Sequence, residues 1–395
     1  MRRAIAVIDG EHYAPVVRDA LAALPYDVVG AWLAGGTEKL RGGEDYGVPL
    51  LAKLEDGFAE AQVVVDLSDE PVLSPQARFL LASRALAAGL RYEGADFHFE
   101  PPQYAAFPLP SLAVIGTGKR VGKTAVTGHV ARLLARDRDV VVVAMGRGGP
   151  GQPATAEVQP TLETLLELSR AGQHAASDYL ETAALTGVVT IGCRRAGGGL
   201  AGAVTSSNVL EGAALAAERE PDVVVFDGSG AAIPPIEVDA RILVSGAAHD
   251  ATAFLNAYRV LVSDLVVLVG AAGDADAIRS LKDVPVVRAD LRLRPALALA
   301  GRRVAVFTTG AAPTEHLDAE VVSVSRNLAD RVKLRADLAR TDADVYLVEI
   351  KAAAIDVVAE AAAERGVEVV FADNEVVSPG LDDAILGLVP AGARA

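Results

Sequence analysis

Hydrophobic positions along this chain alternate between two spacings. Short apolar runs at 4–8, 27–33 and 63–67 are separated by stretches whose apolar residues recur every three or four positions. The first kind predicts buried strands and the second predicts helices with one apolar face. Residues 13–24 form such a helix, with Val16, Val17, Ala20, Leu21 and Leu24 on one side. A longer alanine-rich helix is predicted over 74–90, followed by an extended segment at 92–99. Strands alternating with helices imply right-handed crossovers and a parallel sheet. Pro101-Pro102 and Pro108-Leu109-Pro110 then stiffen the connection to the next unit. Residues 1–107 are therefore expected to form a small Rossmann-like α/β domain.

The alternation resumes at Ser111. Strands are predicted at 112–115, 139–145, 188–192, 223–226, 241–245, 265–270 and 284–288, with helices between several of them, for example 211–218 and 252–262. Residues 150–187 break the rhythm: a glycine- and proline-rich opening, a helix at 161–170, then the polar-aromatic Asp178-Tyr179-Leu180-Glu181. An insertion of that kind suits a lid. Beyond residue 301 the elements are shorter, with strands at 304–308, 321–324, 345–349 and 367–371 and helices at 327–339 and 352–365. The expected division is 1–107, a core at 108–300 carrying the 150–187 insertion, and an α/β extension at 301–395.

Composition narrows the class of protein. With 51% hydrophobic residues the chain can bury sizeable cores, and a net charge of −15 argues against a nucleic-acid-binding surface. It also makes any cluster of cations informative. Cys193 is the only cysteine, so no intrachain disulfide exists, and with no His nearby to complete a pair it reads as a small packing residue. His129 is predicted on the surface of its helix. No apolar run is long enough to span a bilayer, and a soluble, cytoplasmic protein is expected.

The chemistry collects where strands end. Gly116-Thr117-Gly118-Lys119-Arg120-Val121-Gly122-Lys123-Thr124-Ala125 lies between a strand and a helix whose apolar positions are Val126, Val130, Leu133 and Leu134. That arrangement builds a phosphate-binding loop: glycines bring backbone N–H groups onto phosphate oxygens, Lys123 reaches the β- and γ-phosphates, and the Thr124 hydroxyl suits Mg²⁺. The usual first glycine is replaced by Thr117. In a parallel sheet, ligands bind beyond the carboxyl ends of strands. There the chain places Arg147 among glycines, Cys193-Arg194-Arg195 before Gly197-Gly198-Gly199, and Asp227-Gly228-Ser229-Gly230. Asp227 occupies the position of a carboxylate near Mg²⁺. Lys119, Arg120, Lys123, Arg147, Arg194 and Arg195 would bring six cations to one edge of an acidic chain, which suits a multiply anionic substrate. Asp9-Gly10-Glu11-His12-Tyr13, after the first strand, reads equally as a reactive cluster or a helix cap.

The loop resembles the variant found in dethiobiotin synthetase, within the SIMIBI class of P-loop proteins. A wider set of segments is similar to the cyclic 2,3-diphosphoglycerate synthetases. These are Asp9-Gly10-Glu11-His12-Tyr13, the phosphate loop, Met145-Gly146-Arg147-Gly148-Gly149-Pro150, Ala176-Ser177-Asp178-Tyr179, Gly192-Cys193-Arg194-Arg195 with its three glycines, and Gly228-Ser229-Gly230-Ala231-Ala232-Ile233-Pro234-Pro235. The resemblance runs from residue 5 to about 250 and continues more weakly beyond. It departs at Asp227, where close relatives are expected to carry Glu. The resemblance implies a SIMIBI-type three-layer core that uses ATP and Mg²⁺ to cyclise 2,3-bisphosphoglycerate. It implies catalytic roles for Lys123, Lys119, Arg147 and Asp227, nucleotide contacts from residues 116–125, metal contacts from Thr124 and Asp227, and substrate contacts from Arg147, Arg194, Arg195, Gly198 and Ser229. A homodimer is expected, since dimers are common in this class. Two other readings share the fold: a nucleotide-switched maturation or partitioning protein, and a synthetase or kinase for another phosphorylated small acid.

Overall fold

The computed structural model describes every residue except 172–176, 248, 271–272, 310–312, 351–353 and 390–395. Ala176 of the segment quoted above, and part of the 150–187 insertion, therefore lie outside the described residues. The chain separates into two compact units. One holds Met1–Gln103, Asp250–Ser263 and Asp274–Asp283; the other holds Tyr104–His249, Asp264–Gly273 and Val284–Ala395.

In the first unit the apolar runs become strands β1 (Arg3–Ile8), β2 (Asp27–Leu33), β3 (Leu50–Leu51), β4 (Val63–Asp66), β5 (Arg91–Glu93) and β6 (His98–Phe99). They form one sheet in the order β3-β2-β1-β4-β5-β6, parallel except for the β5–β6 pair. Helix α1 (Ala14–Ala23) buries Val17 and Leu21 against it, while Val16 of the predicted stripe remains exposed. Helix α2 is Pro75–Ala87, opened by Ser74, whose hydroxyl accepts from the Ala77 N–H. The Asp250–Ser263 segment packs on α2, with the Phe79 and Phe254 rings edge to face at 5.4 Å, and the Asp274–Asp283 segment packs on Asn256–Leu261.

The second unit is built on a larger sheet. Its strands are β7 (Ser111–Gly116), β8 (Val140–Gly146), β9 (Ala154–Ala156), β10 (Val189–Ala196), β11 (Ser206–Ser207), β12 (Val223–Asp227), β13 (Ala240–Gly246), β14 (Leu265–Val269), β15 (Val286–Pro295), β16 (Arg303–Phe307), β17 (Glu320–Ser325), β18 (Val345–Glu349) and β19 (Glu368–Val377). The main path runs β11-β10-β8-β12-β7-β13-β14-β15-β19-β18-β16-β17. From β10 to β15 all pairs are parallel, as are those from β19 to β17. One antiparallel seam joins the two parts: Asp290–Pro295 of β15 pairs with Ala372–Val377 of β19. The extension after residue 301 thus continues the central sheet with its strands reversed. Apolar residues on both faces are buried in β7, β8 and β12, as befits strands covered on two sides.

Helix α3 (Lys123–Leu134) leaves the phosphate loop and buries Val126, Val130, Leu133 and Leu134, the stripe read from the sequence. The 150–187 segment contains β9, α4 (Leu162–Arg170) and α5 (Asp178–Thr186). Strand β9 pairs antiparallel with β10, and Leu165 and Leu180 pack together beside Phe371 of β19.

Several predicted elements differ in extent, among them the strand expected at 367–371, which runs on to Val377. The strand expected at 284–288 is ten residues long and reaches Pro295. The strand expected at 188–192 runs on to Ala196, so Cys193, Arg194 and Arg195 lie within it rather than after it. The helix expected at 252–262 is confined to Asn256–Leu261. No helix among the described residues is long and apolar enough to cross a membrane.

Candidate active site

The site forms where β7, β8 and β12 end. Gly122 opens α3 with φ at 89°, in the left-handed region that glycine adopts without strain, and Arg120 also turns left-handed with φ at 61°. Thr117 explains its own departure from the usual glycine. Its N–H donates to the Val244 carbonyl at 3.1 Å and its hydroxyl to Ser245 Oγ at 3.2 Å, which ties the loop to β13.

Beneath the loop is Asp227, at the end of β12 and 2% exposed. Its Oδ1 accepts from Lys123 Nζ at 2.5 Å and from Thr127 Oγ1 at 2.6 Å. Burial pushes the Asp227 carboxyl up, Lys123 and Thr127 pull it back, and the Asp178 charge adds to the rise. Thr127 is absent from the sequence-derived set; it sits one helical turn beyond Lys123, a spacing that the motif already contains.

A cavity of about 800 Å³ opens above these residues. Lys119, Arg120, Lys123, Thr124, Arg147 and Ser229 line it, so both cations inside the loop face the same space. Arg194 and Arg195 are separated by the pleat of β10, because successive side chains leave opposite faces. Arg194 Nε donates to the Gly149 carbonyl at 2.6 Å. Arg195 donates through Nη2 to the Ser229 carbonyl at 2.9 Å and to its hydroxyl at 3.2 Å, so it reaches the site by bracing a lining residue. Burial lowers the pKa of Arg195, Arg147 adds to this, and Asp178 opposes it. Neither Arg194, Arg195 nor Gly198 is among the lining residues.

Helix α5 brings Ser177, Asp178 and Glu181 to the cavity. Gly192 makes room for it: a Cβ there would lie 2.5 Å from the Tyr179 ring. The Ser177 hydroxyl is buried with no hydrogen-bond partner among the described residues. The opposite side of the cavity includes Leu293, Thr309, Leu328, Glu349, Ile350 and Asn374. None of these is singled out by sequence, although Thr309 and Glu349 stand at the ends of strands, where the same rule that finds Arg147 applies.

Other sequence candidates resolve differently. Cys193 is fully buried against Gly212, and burial pushes its thiol up to about 12, which fits a packing role. His129 is half-buried rather than a surface group, with Nε2 2.7 Å from Asp382 Oδ1. In the first unit Asp9 does not cap α1. It accepts from the Glu11 N–H at 3.0 Å, the Asp69 N–H at 2.8 Å and His12 Nδ1 at 2.8 Å.

Family models match the chain in three consecutive segments: the N-terminal domain of cyclic 2,3-diphosphoglycerate synthetase over residues 3–100, its P-loop domain over 111–286 and its C-terminal domain over 295–375. A protein named cyclic 2,3-diphosphoglycerate synthetase from Rubrobacter xylanophilus is 48% identical, covering 99% of this chain and 98% of that protein. Proteins of the same name from Thermococcus kodakarensis and Methanothermobacter thermautotrophicus are 42% and 39% identical, covering 99% and 98% of this chain and 98% and 95% of theirs. The strand–loop–helix, the basic strand ends and these matches agree: the chain belongs to the cyclic 2,3-diphosphoglycerate synthetase family.

Proposed function

We propose that the protein is an ATP-dependent ligase that closes 2,3-bisphosphoglycerate into its cyclic pyrophosphate, releasing ADP and phosphate. One substrate phosphate oxygen attacks the γ-phosphorus of ATP, and ADP departs. An oxygen of the second substrate phosphate then attacks the activated phosphorus. The P–O–P ring forms and inorganic phosphate leaves. The observation that carries this reading is the shared cavity. It joins a phosphate loop to Lys119, Arg120 and Arg147, more positive charge than a nucleotide alone requires.

Lys123 and Lys119 would balance charge on the transferred phosphoryl group, with residues 116–125 holding the nucleotide. Arg147 would draw the two substrate phosphates together, while Arg195 holds Ser229 in place and Arg194 and Gly198 shape the strand end behind it. Thr124 and Asp227 offer the hydroxyl and carboxylate oxygens that suit Mg²⁺, an ion that takes few protein ligands beside nucleotide phosphates. When bound, Mg²⁺ would neutralise phosphate charge. The 150–187 segment would exclude water from the activated intermediate. The division at 1–107, 108–300 and 301–395 is supported by the three matched segments. A homodimer in the cytoplasm completes the proposal.

The test is phosphorus NMR of purified protein with ATP, Mg²⁺ and 2,3-bisphosphoglycerate. A new pyrophosphate signal formed one-for-one with ADP, and lost in Lys123→Ala, is expected. ADP release indifferent to the added acid would instead point to a nucleotide switch.

A further inference from the structure

The cavity has two walls of opposite character, and the cyclisation chemistry above occupies only the basic one. The far wall belongs to β16, β18 and β19: Thr309 follows β16, Glu349 ends β18 and Asn374 lies within β19. The antiparallel seam explains why. Strand β15 continues past Ala289, its last partner in the phosphate-loop part, and from Asp290 to Pro295 it pairs with β19. At a rise of about 3.3 Å per residue, that stretch carries the chain roughly 17 Å beyond the phosphate-loop edge. There β18 runs back toward the loop and stops at Glu349, level with Ala372. Two ligand-binding edges therefore face each other across one space.

Glu349 is 8% exposed. Its Oε2 accepts from the Thr309 N–H at 2.7 Å and the Thr309 hydroxyl at 2.9 Å, and its Oε1 accepts from Asn374 Nδ2 at 2.9 Å. No cation pairs with it among the described residues. A carboxylate offers about four lone-pair directions, so these three donors leave acceptor capacity on Oε1. A buried carboxylate whose partners among the described residues are neutral favours further hydrogen-bond donors. Glu349 would repel an anionic acid, and Arg331, which also lines the cavity, is engaged by Asp356 at 2.6 Å. Among the described residues no group of three or more metal-ligating side chains gathers here. Leu328 and Ile350, both almost fully buried, back the cavity beside Glu349. Neutral hydroxyl donors fit this acceptor.

We infer that Glu349, held by Thr309 and Asn374, accepts a hydrogen bond from a ribose hydroxyl of the nucleotide whose phosphates lie on the loop. Leu328 and Ile350 then back the pocket behind that contact. The inference rests on the nucleotide-using reading of this site and extends it: the C-terminal part of the chain selects the nucleoside, and the loop side handles phosphate.

The experiment is equilibrium binding of ATP, 2′-deoxy-ATP and 3′-deoxy-ATP to the full chain, in the wild type and in Glu349→Gln. The wild type is expected to bind at least one deoxy analogue about tenfold more weakly than ATP, since a hydrogen bond to a charged group is lost. Glu349→Gln is expected to bind ATP about tenfold more weakly and to lose the distinction from that analogue. Its affinity for 2,3-bisphosphoglycerate should stay within about twofold of the wild type, because that acid belongs to the basic wall. The ratio is taken within each protein, so general loosening of the fold cancels from it. Equal binding of all three nucleotides by the wild type, or an unchanged ratio in Glu349→Gln, overturns the inference. The wild-type ratio does this without any variant. A wild type that binds no nucleotide removes the ATP reading as well. Nucleotide binding without ribose discrimination leaves that reading standing and removes only this one.

Discussion

Asp227 shows how much one residue fixes. It is buried, which pushes its carboxyl up, and Lys123 and Thr127 oppose that rise by meeting it. Asp227→Asn keeps the shape and removes the charge, leaving Lys123 without its counterpart. Breaking one side of a buried pair costs about 3 kcal/mol or more, so a clear drop in thermal midpoint is expected along with loss of turnover. A variant that melts like the wild type would show that the pair contributes little. His12 and Asp9 give a second residue-scale prediction. The hydrogen bond that His12 donates to Asp9 raises His12 above 6.5. Burial would push Asp9 up, but its bonds from Asp69, His12 and Glu11 outweigh this and hold it below 3.8. The His12 contribution to stability is complete below pH 6.5 and fades as pH rises through the elevated folded value. The Asp9 contribution is complete above pH 3.8 and fades as pH falls through the depressed one. Denaturation midpoints of wild type and His12→Gln should therefore differ most between those two limits and converge in alkali. A constant gap across pH would contradict it. At this scale Lys123, Thr124, Arg147 and Asp227 are legible in the sequence, because motif and strand-end position fix them. Arg194 and Arg195 are less so, since one further residue of strand decides which face each side chain takes.

At the scale of elements, α5 depends on a missing side chain. Gly192→Ala would place a Cβ against the Tyr179 ring, and the helix would have to shift from β10. Overpacking of this sort costs about 1–3 kcal/mol. Reduced hydrogen-exchange protection confined to α5 and β10, with α3 unchanged, is the expected signature, and uniform loss would argue against it. Strand β15 outruns its sequence-based prediction for an identifiable reason. Arg288, Asp290, Arg292 and Arg294 alternate with Ala289, Leu291 and Leu293, a period of two that marks a half-buried strand. Charge at every second position resembles the end of a buried strand, although Arg292 and Arg294 are paired with Glu375 and Asp373 across the seam. The same pattern hides the connection between the two parts of the sheet, and with it the far wall of the cavity.

For the whole second unit, the seam predicts what truncation does. A chain ended at residue 300 would leave Asp290–Pro295 with an unpaired backbone edge, and open edges invite association. Such a protein is expected to aggregate and to bind ATP poorly; a monomeric, fully nucleotide-competent truncation would refute this. The parallel order around the phosphate loop is visible in sequence because apolar runs and helices alternate so regularly there. The reversal at β19 is not, because no local pattern records whether two distant strands run together or opposed. That reversal also makes the paired ribbon a ruler. Removing two residues from each of its strands would keep every side chain on its present face and bring the opposing edges about 7 Å closer. Removing one from each would turn inward residues outward. The size of molecule this unit accepts is thus counted in pairs of residues along one ribbon, and can change in evolution or design without touching a single group that binds.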